Sequence, residues 1–383
     1  MKRAVYAAVI IVIGIFIIAC PQPQGAGIAM FDAGEYHSIV LSKNGSIWSM
    51  GESSDGELGL GSFGGTDILS PTRIGTLNTW VHINAGAEHN FAIKDDGTLW
   101  GWGKNDDGQV GTGTTNDHAT PRPIGNAYNW EMVVAAGAED GEHSLGIKED
   151  NTLWSWGDDT DGQLGNGAAS TSDVLEPEQV GSATDWMTVQ AGDDFSVALK
   201  DDNSLWTWGY DGNGRLGNGS GSTSDVEDPT QIDTGYAQIS AGDSHVLAVK
   251  TNGELWGWGY NSDNQIDSSG TIREAPIQIG SDSDWDMVAA GEDHSLALKT
   301  DGTLYAWGDD VDGQLGNGTA GDYTMPTQIG SADDWVAIKA GDSTSRAVKE
   351  DGTLWGWGAN SDGQIGDGTD YDKESPTQIY LDE

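Results

Sequence analysis

A repeated His-Ser pair is the first feature of this sequence whose residue types could support chemistry. A histidine occupies the same place of a recurring A-G-x-x-H-S stretch in five copies, at His37, His89, His143, His245 and His294. A histidine beside a hydroxyl could activate a nucleophile, and several imidazoles could bind a metal. The position becomes Phe195 and Thr344 in two other copies, and a metal needs ligands that converge on one ion. We therefore expect the histidines to pack inside the fold, and no Ser-His-Asp constellation stands out.

Acidic side chains recur in the first turn of each copy and are the main candidates for contact with a partner. They are Glu35, Glu88, Glu139, Asp193, Asp243, Glu292 and Asp342. Each long third loop adds a further acid, at Asp55, Asp107, Asp161, Asp211, Asp263, Asp312 and Asp362. The extended loop of the fourth unit contributes three more candidates, Asp225, Glu227 and Asp228. These carboxylates could serve solubility and turn formation, or recognition of a basic partner surface.

Calcium binding is a third interpretation of the acidic loops. The segment from Asp158 to Gly162 resembles part of a calcium loop, with Asp158, Asp159 and Asp161 as weak Ca²⁺ candidates. The glutamate that follows six residues after the glycine in a complete EF-hand is absent. No other metal or cofactor is expected.

The positions of these residues follow an internal repeat of about 50 residues. An aromatic in the context x-L-W-x-W-G recurs at Trp48, Trp100, Trp154, Trp206, Trp256, Tyr305 and Trp355. Each unit holds four short β-rich runs divided by Gly, Asp and Asn turns, and glycine after Asp or Asn supplies the positive φ of a tight hairpin. Four antiparallel strands in each of seven units predict an all-β, seven-bladed β-propeller over residues 28–383.

The repeated motifs carry a family resemblance. A-G-x-x-H-S-L-A-L-K, D-G-x-L-W-x-W-G and N-x-x-G-Q-L-G-x-G followed by P-x-Q-I resemble the repeat of the regulator of chromosome condensation family. The resemblance covers all seven units and implies a seven-bladed propeller. The namesake of the family binds chromatin and exchanges nucleotide on a small GTPase, and neither activity is expected here. Secreted bacterial relatives include inhibitors that bind β-lactamases, which implies protein binding.

Composition excludes several classes of protein. The chain of 383 residues has 61 Asp and Glu against 17 Lys and Arg, a net charge of −44. This charge argues against a nucleic-acid partner, because phosphate contacts need clustered Lys and Arg. A single Cys excludes a disulfide framework.

The N-terminus indicates export. Two basic residues and an apolar run end at the only cysteine, in the stretch Ile17-Ile18-Ala19-Cys20, which resembles a bacterial lipobox. We expect residues 1–20 to be a lipoprotein-type signal peptide with Cys20 as the lipidation site, and residues 21–27 to be a Pro/Gly linker. The propeller would then lie outside the cytoplasm, anchored to a membrane of a bacterial cell envelope.

Strand direction separates the charges between the two rims of the propeller. The first turns and third loops share one rim, while the second turns carry a lysine each, at Lys43, Lys94, Lys148, Lys200, Lys250, Lys299 and Lys349. We expect an acidic rim opposite a rim marked by lysines, and tryptophans packed between blades.

The sequence predicts a function in binding. We expect a monomeric, non-enzymatic protein-binding scaffold at the envelope, with the acidic rim facing a protein that has a basic surface. The alternatives are a Ca²⁺-dependent or glycan-binding module, or an enzyme with its site at the channel mouth. No asymmetric cluster of polar residues that would favour an enzyme stands out.

Overall fold

The strands form seven radial sheets. The computed structural model describes residues 27–137, 142–167, 173–219 and 225–382. Within these ranges, 28 strands form seven antiparallel four-stranded sheets, each built from four consecutive strands. The predicted seven-bladed propeller is confirmed. The predicted signal peptide and Cys20 lie outside the described residues.

The strands run in chain order from β1 to β28. The first four blades contain β1 (Ile28–Ala33), β2 (His37–Ser42), β3 (Ile47–Gly51), β4 (Ile68–Arg73), β5 (Trp80–Ala85), β6 (His89–Lys94), β7 (Leu99–Gly103), β8 (His118–Pro123), β9 (Trp130–Ala135), β10 (His143–Lys148), β11 (Leu153–Gly157), β12 (Val174–Gln179), β13 (Trp186–Ala191), β14 (Phe195–Lys200), β15 (Ser204–Gly209) and β16 (Val226–Thr234). The last three contain β17 (Tyr236–Ala241), β18 (His245–Lys250), β19 (Leu255–Gly259), β20 (Arg273–Gln278), β21 (Trp285–Ala290), β22 (His294–Lys299), β23 (Leu304–Gly308), β24 (Tyr323–Gln328), β25 (Trp335–Ala340), β26 (Thr344–Lys349), β27 (Leu354–Gly358) and β28 (Lys373–Ile379).

Helix is almost absent from the described part of the chain. A three-residue 3₁₀ turn spans Gly212–Gly214. No helix in the described ranges is long and apolar enough to cross a membrane.

The hairpin between the second and third strands shows why the turn residues are Gly or Asn. In the second blade Gly97 has φ of 77°, and its N–H donates to the Lys94 carbonyl at 2.9 Å. A Cβ at Gly97 would lie 2.3 Å from the carbonyl oxygen of Tyr128. Asn151 and Asn203 take this role in the next two blades, with φ of 61° and 63°, because Asn tolerates the left-handed region better than most residues.

The ring closes by packing between the last and first blades. The seventh blade consists of β25 to β28 in sequence order, so among the described strands none is exchanged across the seam. Ile28, Phe31 and Met50 of the first blade form one buried cluster with residues of the seventh, including Val348 and Ile365.

The tryptophans pack between blades, as predicted. The second tryptophan of each W-x-W-G strand is fully buried, and its indole N–H reaches the preceding blade in five cases. The carbonyl acceptors lie at 2.8–3.0 Å, in the pairs Trp102 with Glu57, Trp156 with Gln109, Trp208 with Gln163, Trp258 with Arg215, and Trp357 with Gln314. A buried hydrogen bond of this kind contributes about 1 kcal/mol, so each seam gains both apolar packing and a fixed register.

The lysines do not make a basic rim. Six of them lie over two aromatic rings each; Lys94, for example, lies 3.5 Å from the ring centre of Trp100 and 4.9 Å from that of Trp80. Four also form ion pairs with aspartates that lie in the connections between blades or near the end of the strand before one, at 2.6–3.1 Å, in the pairs Lys200 with Asp185, Lys250 with Asp233, Lys299 with Asp282, and Lys349 with Asp334. The lysines lie at or next to the ends of the second strands as predicted, but neighbouring carboxylates pair with four of them, so this side of the ring is less basic than predicted.

Candidate partner-binding rim

The first turns and the long third loops lie at the same end of the ring, which we call the loop rim. The backbone joins them directly: the residue after each W-x-W-G strand donates to the carbonyl just before the second strand. Examples are Lys104 to Glu88 at 3.0 Å and Tyr210 to Asp194 at 2.8 Å. The opposite end, formed by the second turns and the connections between blades, is the hairpin rim.

The first-turn positions form a ring around the channel mouth on the loop rim, and five of them hold a predicted acid: Glu35, Asp193, Asp243, Glu292 and Asp342. Hydrogen bonds between blades hold them there, since the N–H of Asp193 donates to the carbonyl of Asp243 at 3.2 Å and that of Glu292 to Asp342 at 3.2 Å. Glu35 makes the same bond to Ala87, at 3.3 Å. The backbone thus fixes the spacing of their carboxylates.

Repulsion within this group is visible at Asp243. Burial, and then the charges of Glu292 and Asp193, hold the pKa of the Asp243 carboxyl well above its usual value. The first turns of the fourth to sixth blades therefore lie close enough to affect one another electrostatically.

Glu88 does not belong to this ring. The bond from Glu35 shows that Ala87 holds the ring position in the second blade, and Glu88 lies one residue later. Its carboxylate pairs with Lys104 at 2.6 Å, and Lys104 also contacts Glu142 at 2.7 Å. The A-G motif before the first turn does not show which of the two residues that follow it lies in the ring. This is why the prediction placed Glu88 there. Glu139 lies outside the described residues.

The candidates of the fourth unit lie beside the ring rather than on it. Asp225, Glu227 and Asp228 are exposed, but Glu227 and Asp228 belong to β16 and not to a loop. The carbonyl of Glu227 accepts from Gly167 N–H at 3.0 Å. These acids therefore lie along the outer edge of the fourth blade, against the long loop of the third.

Two of the three Ca²⁺ candidates, Asp158 and Asp159, use their carboxylates to hold their own loop together. Asp159 is fully buried, and its two oxygens accept from the N–H of Leu164 at 3.2 Å and from the amide of Asn166 at 2.7 Å. Asp158 accepts from the Thr160 hydroxyl at 2.6 Å and the Gln163 amide at 2.7 Å. The described ranges contain no group of three or more side chains that could hold a metal ion.

Each of these long loops has a buried residue near its start that accepts hydrogen bonds from the rest of the loop, which we call the organiser. The organiser pairs with a complementary residue seven positions later. An aspartate organiser is paired with an asparagine, at 2.6–2.8 Å in Asp159 with Asn166, Asp211 with Asn218, and Asp310 with Asn317. The seventh blade inverts the pair, with Asn360 donating to Asp367 at 3.3 Å. This relation was missed from the sequence, although the spacing is visible there. It also shows that Asp211 is an organiser and not a surface acid.

The histidines connect blades and are unsuited to catalysis. Each ring Nε2 reaches a side chain of the next blade at 2.8–3.1 Å, in the pairs His37 with Asn90, His89 with Ser144, His143 with Ser196, His245 with Ser295, and His294 with Ser345. Four of these partners are serine hydroxyls, and each hydroxyl donates back to a carbonyl of the preceding blade, as Ser144 does to Gln109 at 2.8 Å. The hydroxyl is thus an acceptor toward the histidine.

Burial keeps these imidazoles neutral. It lowers the pKa of His37 to about 4 and that of His245 to about 3. The fourth blade has Phe195, and the serine of the fifth becomes Val246, both fully buried. A polar pair is thus replaced by an apolar pair, consistent with the expected packing role.

Three acids of the loop rim titrate near neutral pH. Burial raises the pKa of Asp194 to about 7, assisted by the charges of Asp193 and Asp161. Burial raises the pKa of Asp293 to about 7 as well, with Asp263 and Glu292 next in effect. Burial also raises the pKa of Glu57 to about 7.

The channel contains a polar cluster that the sequence did not reveal. Asp32 accepts from the Asn84 amide at 2.8 Å and from the Lys339 ammonium at 3.2 Å, which joins the seventh, first and second blades. The cavity around these residues has a volume of about 60 Å³, whereas ligand pockets hold roughly 300–1,000 Å³. The cluster is mutually paired, and the space fits water rather than a sugar or nucleotide.

Comparison with known proteins supports the fold and the repeat. The sequence matches the RCC1-like domain over residues 184–383. It matches the regulator of chromosome condensation (RCC1) repeat over 44–93, 96–139 and 150–199.

Curated relatives share about half of the chain. The human E3 ubiquitin-protein ligase HERC2 is 33% identical over 52% of this chain and 4% of its own length. The ultraviolet-B receptor UVR8 of Arabidopsis thaliana is 31% identical over 54% of this chain and 46% of its own. The match therefore spans less than half the length of either relative.

Solved structures show the same fold. Human WBSCR16 has a TM-score of 0.78 at 21% identity, covering 88% of this chain and 94% of its own. Prp20p of Saccharomyces cerevisiae, described with its binding properties to Gsp1p and histones, has a TM-score of 0.76 at 20% identity over 95% and 91% of the two chains. Yeast RCC1 (Prp20) has also been solved bound by Kap60, with a TM-score of 0.77 at 21% identity over 95% and 90%.

Proposed function

Because the chain belongs to the RCC1 repeat family, we propose that it is a non-enzymatic scaffold that binds a protein partner through its loop rim. The observation that carries this proposal is the row of first-turn carboxylates on the fourth to seventh and first blades, held by backbone hydrogen bonds between blades. Of these side chains, Glu35 is buried, Asp193, Asp243 and Asp342 are half-buried, and Glu292 is exposed. A rigid acidic surface suits a partner with a basic surface, because complementary charge gives specificity and fast association.

The relatives support protein binding as the class of function. The yeast propeller is described with its binding properties to Gsp1p and histones and has been solved bound by Kap60, all of them proteins. A propeller of this kind is a scaffold on which different sites arise, so the identity of those partners does not extend to this chain.

An enzymatic role has less support. The His-Ser pairs hold blades together, and the channel cluster of Asp32, Asn84 and Lys339 is paired within itself. The second tryptophan of each W-x-W-G strand cannot contribute to a glycan-binding surface, because it is buried between blades.

The place of action follows from the N-terminal segment. Cys20 ends a lipobox-like stretch, and we propose that the propeller is a monomer held at a bacterial envelope by a lipid on this residue. Prolines in the outermost strands, such as Pro71 and Pro376, protect exposed sheet edges from pairing with a second copy.

Capture of partners by the full chain tests the proposal. The purified protein in detergent is incubated with envelope extract, and captured proteins are quantified for the wild type, a loop-rim reversal (D243K/E292K) and a hairpin-rim reversal (D284K/D333K). We expect the loop-rim reversal to remove at least one partner that the hairpin-rim reversal retains. Equal capture by all three proteins would show that the loop rim serves only solvation.

A further inference from the structure

Exposed apolar side chains divide the loop rim into two unequal parts. On this rim, the large apolar residues exposed in the described part of the chain all lie in four consecutive blades, the fifth, sixth, seventh and first. They are Ile272, Val311, Tyr371, Phe63 and Tyr36, between 40% and 72% exposed. The described loop-rim residues of the second to fourth blades have none.

Val311 lines a shallow groove at the seam between the sixth and seventh blades, and Tyr371 directly precedes another residue that lines it. The groove is lined by Val311 and Asp312 on one side and by Asp372 and Lys373 on the other. Val311 is 72% exposed, and so is Tyr371, which immediately precedes Asp372. Such exposure of a valine in a concave seam and of a tyrosine next to it in the chain is typical of contact surfaces, which are enriched in aromatic anchors.

The carboxylates around the groove lie close together. Burial, and then the charges of Asp372 and Asp309, raise the pKa of Asp312. At the next seam, burial and the charges of Asp362 and Asp67 raise the pKa of Glu52. A cationic group placed here would relieve repulsion between these carboxylates.

The second to fourth blades differ in this respect. Lys104 bridges Glu88 and Glu142, and Arg215 pairs with Asp193 at 3.4 Å. These blades therefore supply their own cations to the first turns. In the fifth and seventh blades the loop-rim cations pair instead with acids of their own long loops, Arg273 with Asp267 and Lys373 with Asp367.

We propose that the groove lined by Val311 and Asp372, with the adjacent Tyr371 and the loop rim from the fifth to the first blade around it, is the docking surface for a protein segment that carries both Arg or Lys and apolar side chains. The apolar side chains pack against Val311 and Tyr371, and the cations lie among Asp312 and its acidic neighbours. This inference rests on the proposed function and locates it on the rim, away from the candidates on β16.

Two synthetic peptides test the surface without knowledge of the natural partner. One has 12 residues of alternating Arg and Leu, and the other replaces each Leu with Ser. Binding of each to the full chain is measured by fluorescence anisotropy at physiological salt. We expect the Arg-Leu peptide to bind at least tenfold more tightly than the Arg-Ser peptide, because only the first can use the apolar contacts.

Variants with matched controls locate the site. V311S/Y371S should weaken the Arg-Leu peptide at least fivefold and leave the Arg-Ser peptide unchanged. Y128S is the control, since Tyr128 is 73% exposed on the hairpin rim, and it should change neither. D312K should weaken both peptides several-fold more than D107K, which alters the equivalent position of the second blade.

The outcomes separate this inference from the proposed function. If Y128S lowers peptide affinity as much as V311S/Y371S does, or D107K as much as D312K, the docking surface is not where we place it. Capture of envelope proteins by the loop rim could still succeed in that case. If the peptides obey the predictions but no captured protein depends on the loop rim, the proposed function fails and the surface stands. Equal affinity of the wild type for both peptides overturns the inference.

Discussion

Arg346 of the seventh blade donates a hydrogen bond from Nη2 to the hydroxyl of Ser38 in the first blade. In four other seams a histidine Nε2 reaches the corresponding serine, as His294 does Ser345 at 2.9 Å. The seventh blade has Thr344 at the histidine position and Arg346 two residues later, where the sixth blade has Leu296. The Arg346 guanidinium, two residues further along the same strand, therefore makes the contact with the next blade that Thr344 cannot make.

Removal of this guanidinium should weaken the closing seam. Arg346 is 1% exposed, and burial lowers its pKa to about 9. R346A leaves a cavity and removes the donor to Ser38, and we expect it to lower the free energy of unfolding by about 2–4 kcal/mol. T344H/R346L rebuilds the arrangement of the sixth blade and should equal or exceed the wild type, because a buried cation is replaced by well-packed leucine. Urea unfolding measures both. A double variant as unstable as R346A would contradict the view that a histidine at position 344 can replace the contact of Arg346 with Ser38.

Glu57 should make stability fall as the pH rises. It occupies the position of glutamine in five other blades, and burial raises its pKa to about 7. The folded protein holds the proton more tightly than the unfolded chain, so this contribution is complete below about pH 4.5 and is lost as the pH rises to about 7.

Substitution of Glu57 tests the direction of this pH dependence. E57Q should raise the free energy of unfolding at pH 8 by roughly 1–3 kcal/mol, and by much less at pH 5. Q109E, the reverse change in the second blade, should destabilise at pH 8. Thermal unfolding at the two pH values checks both, and a pH-independent effect of E57Q would contradict the raised pKa.

The pair Asp310 and Asn317 should behave as one unit. The Asp310 carboxylate accepts from the Asn317 amide at 2.6 Å and from Gly321 N–H at 3.0 Å. D310N places two amides face to face and N317D two carboxylates, so each single change should cost about 1–2 kcal/mol. The exchange D310N/N317D reproduces the order found at Asn360 and Asp367 and should recover at least half of the loss. A double-mutant cycle by urea unfolding measures the coupling, and purely additive losses would refute it.

Lipidation of Cys20 should decide where the protein resides. In bacterial cells fed radiolabelled palmitate, we expect label in the full chain and recovery with membranes. C20A should carry no label and leave the membrane fraction. Label that persists in C20A, or an unlabelled wild type that still fractionates with membranes, would contradict the proposed anchor.

The features that recur in every blade were predictable because the same sequence pattern indicates them in each repeat. Strand order, the Gly and Asn turns such as Gly97 and Asn151, and the side of the ring on which the first turns lie all follow from one unit and its copies. The buried tryptophans follow from the same repetition, since residues two apart on a strand share a face.

The remaining features depend on contacts between units. Glu88 was misplaced because the register of a first turn is defined by a hydrogen bond to the next blade. The ion pair between Lys299 and Asp282 joins the end of a second strand to the connection before the same blade. The repeat pattern does not indicate that these two segments lie side by side. Asp32 and Lys339 are 307 residues apart and meet only because the ring closes, so their cluster has no local signature.

Photo-crosslinking from the loop rim tests the central claim most directly. A photoreactive amino acid replaces Asp370 on the loop rim or Asp333 on the hairpin rim, both exposed, in the full chain within living bacterial cells. We predict discrete protein adducts from position 370 and none from position 333. Adducts of equal yield from both positions, or adducts from position 333 alone, would contradict a partner-binding loop rim.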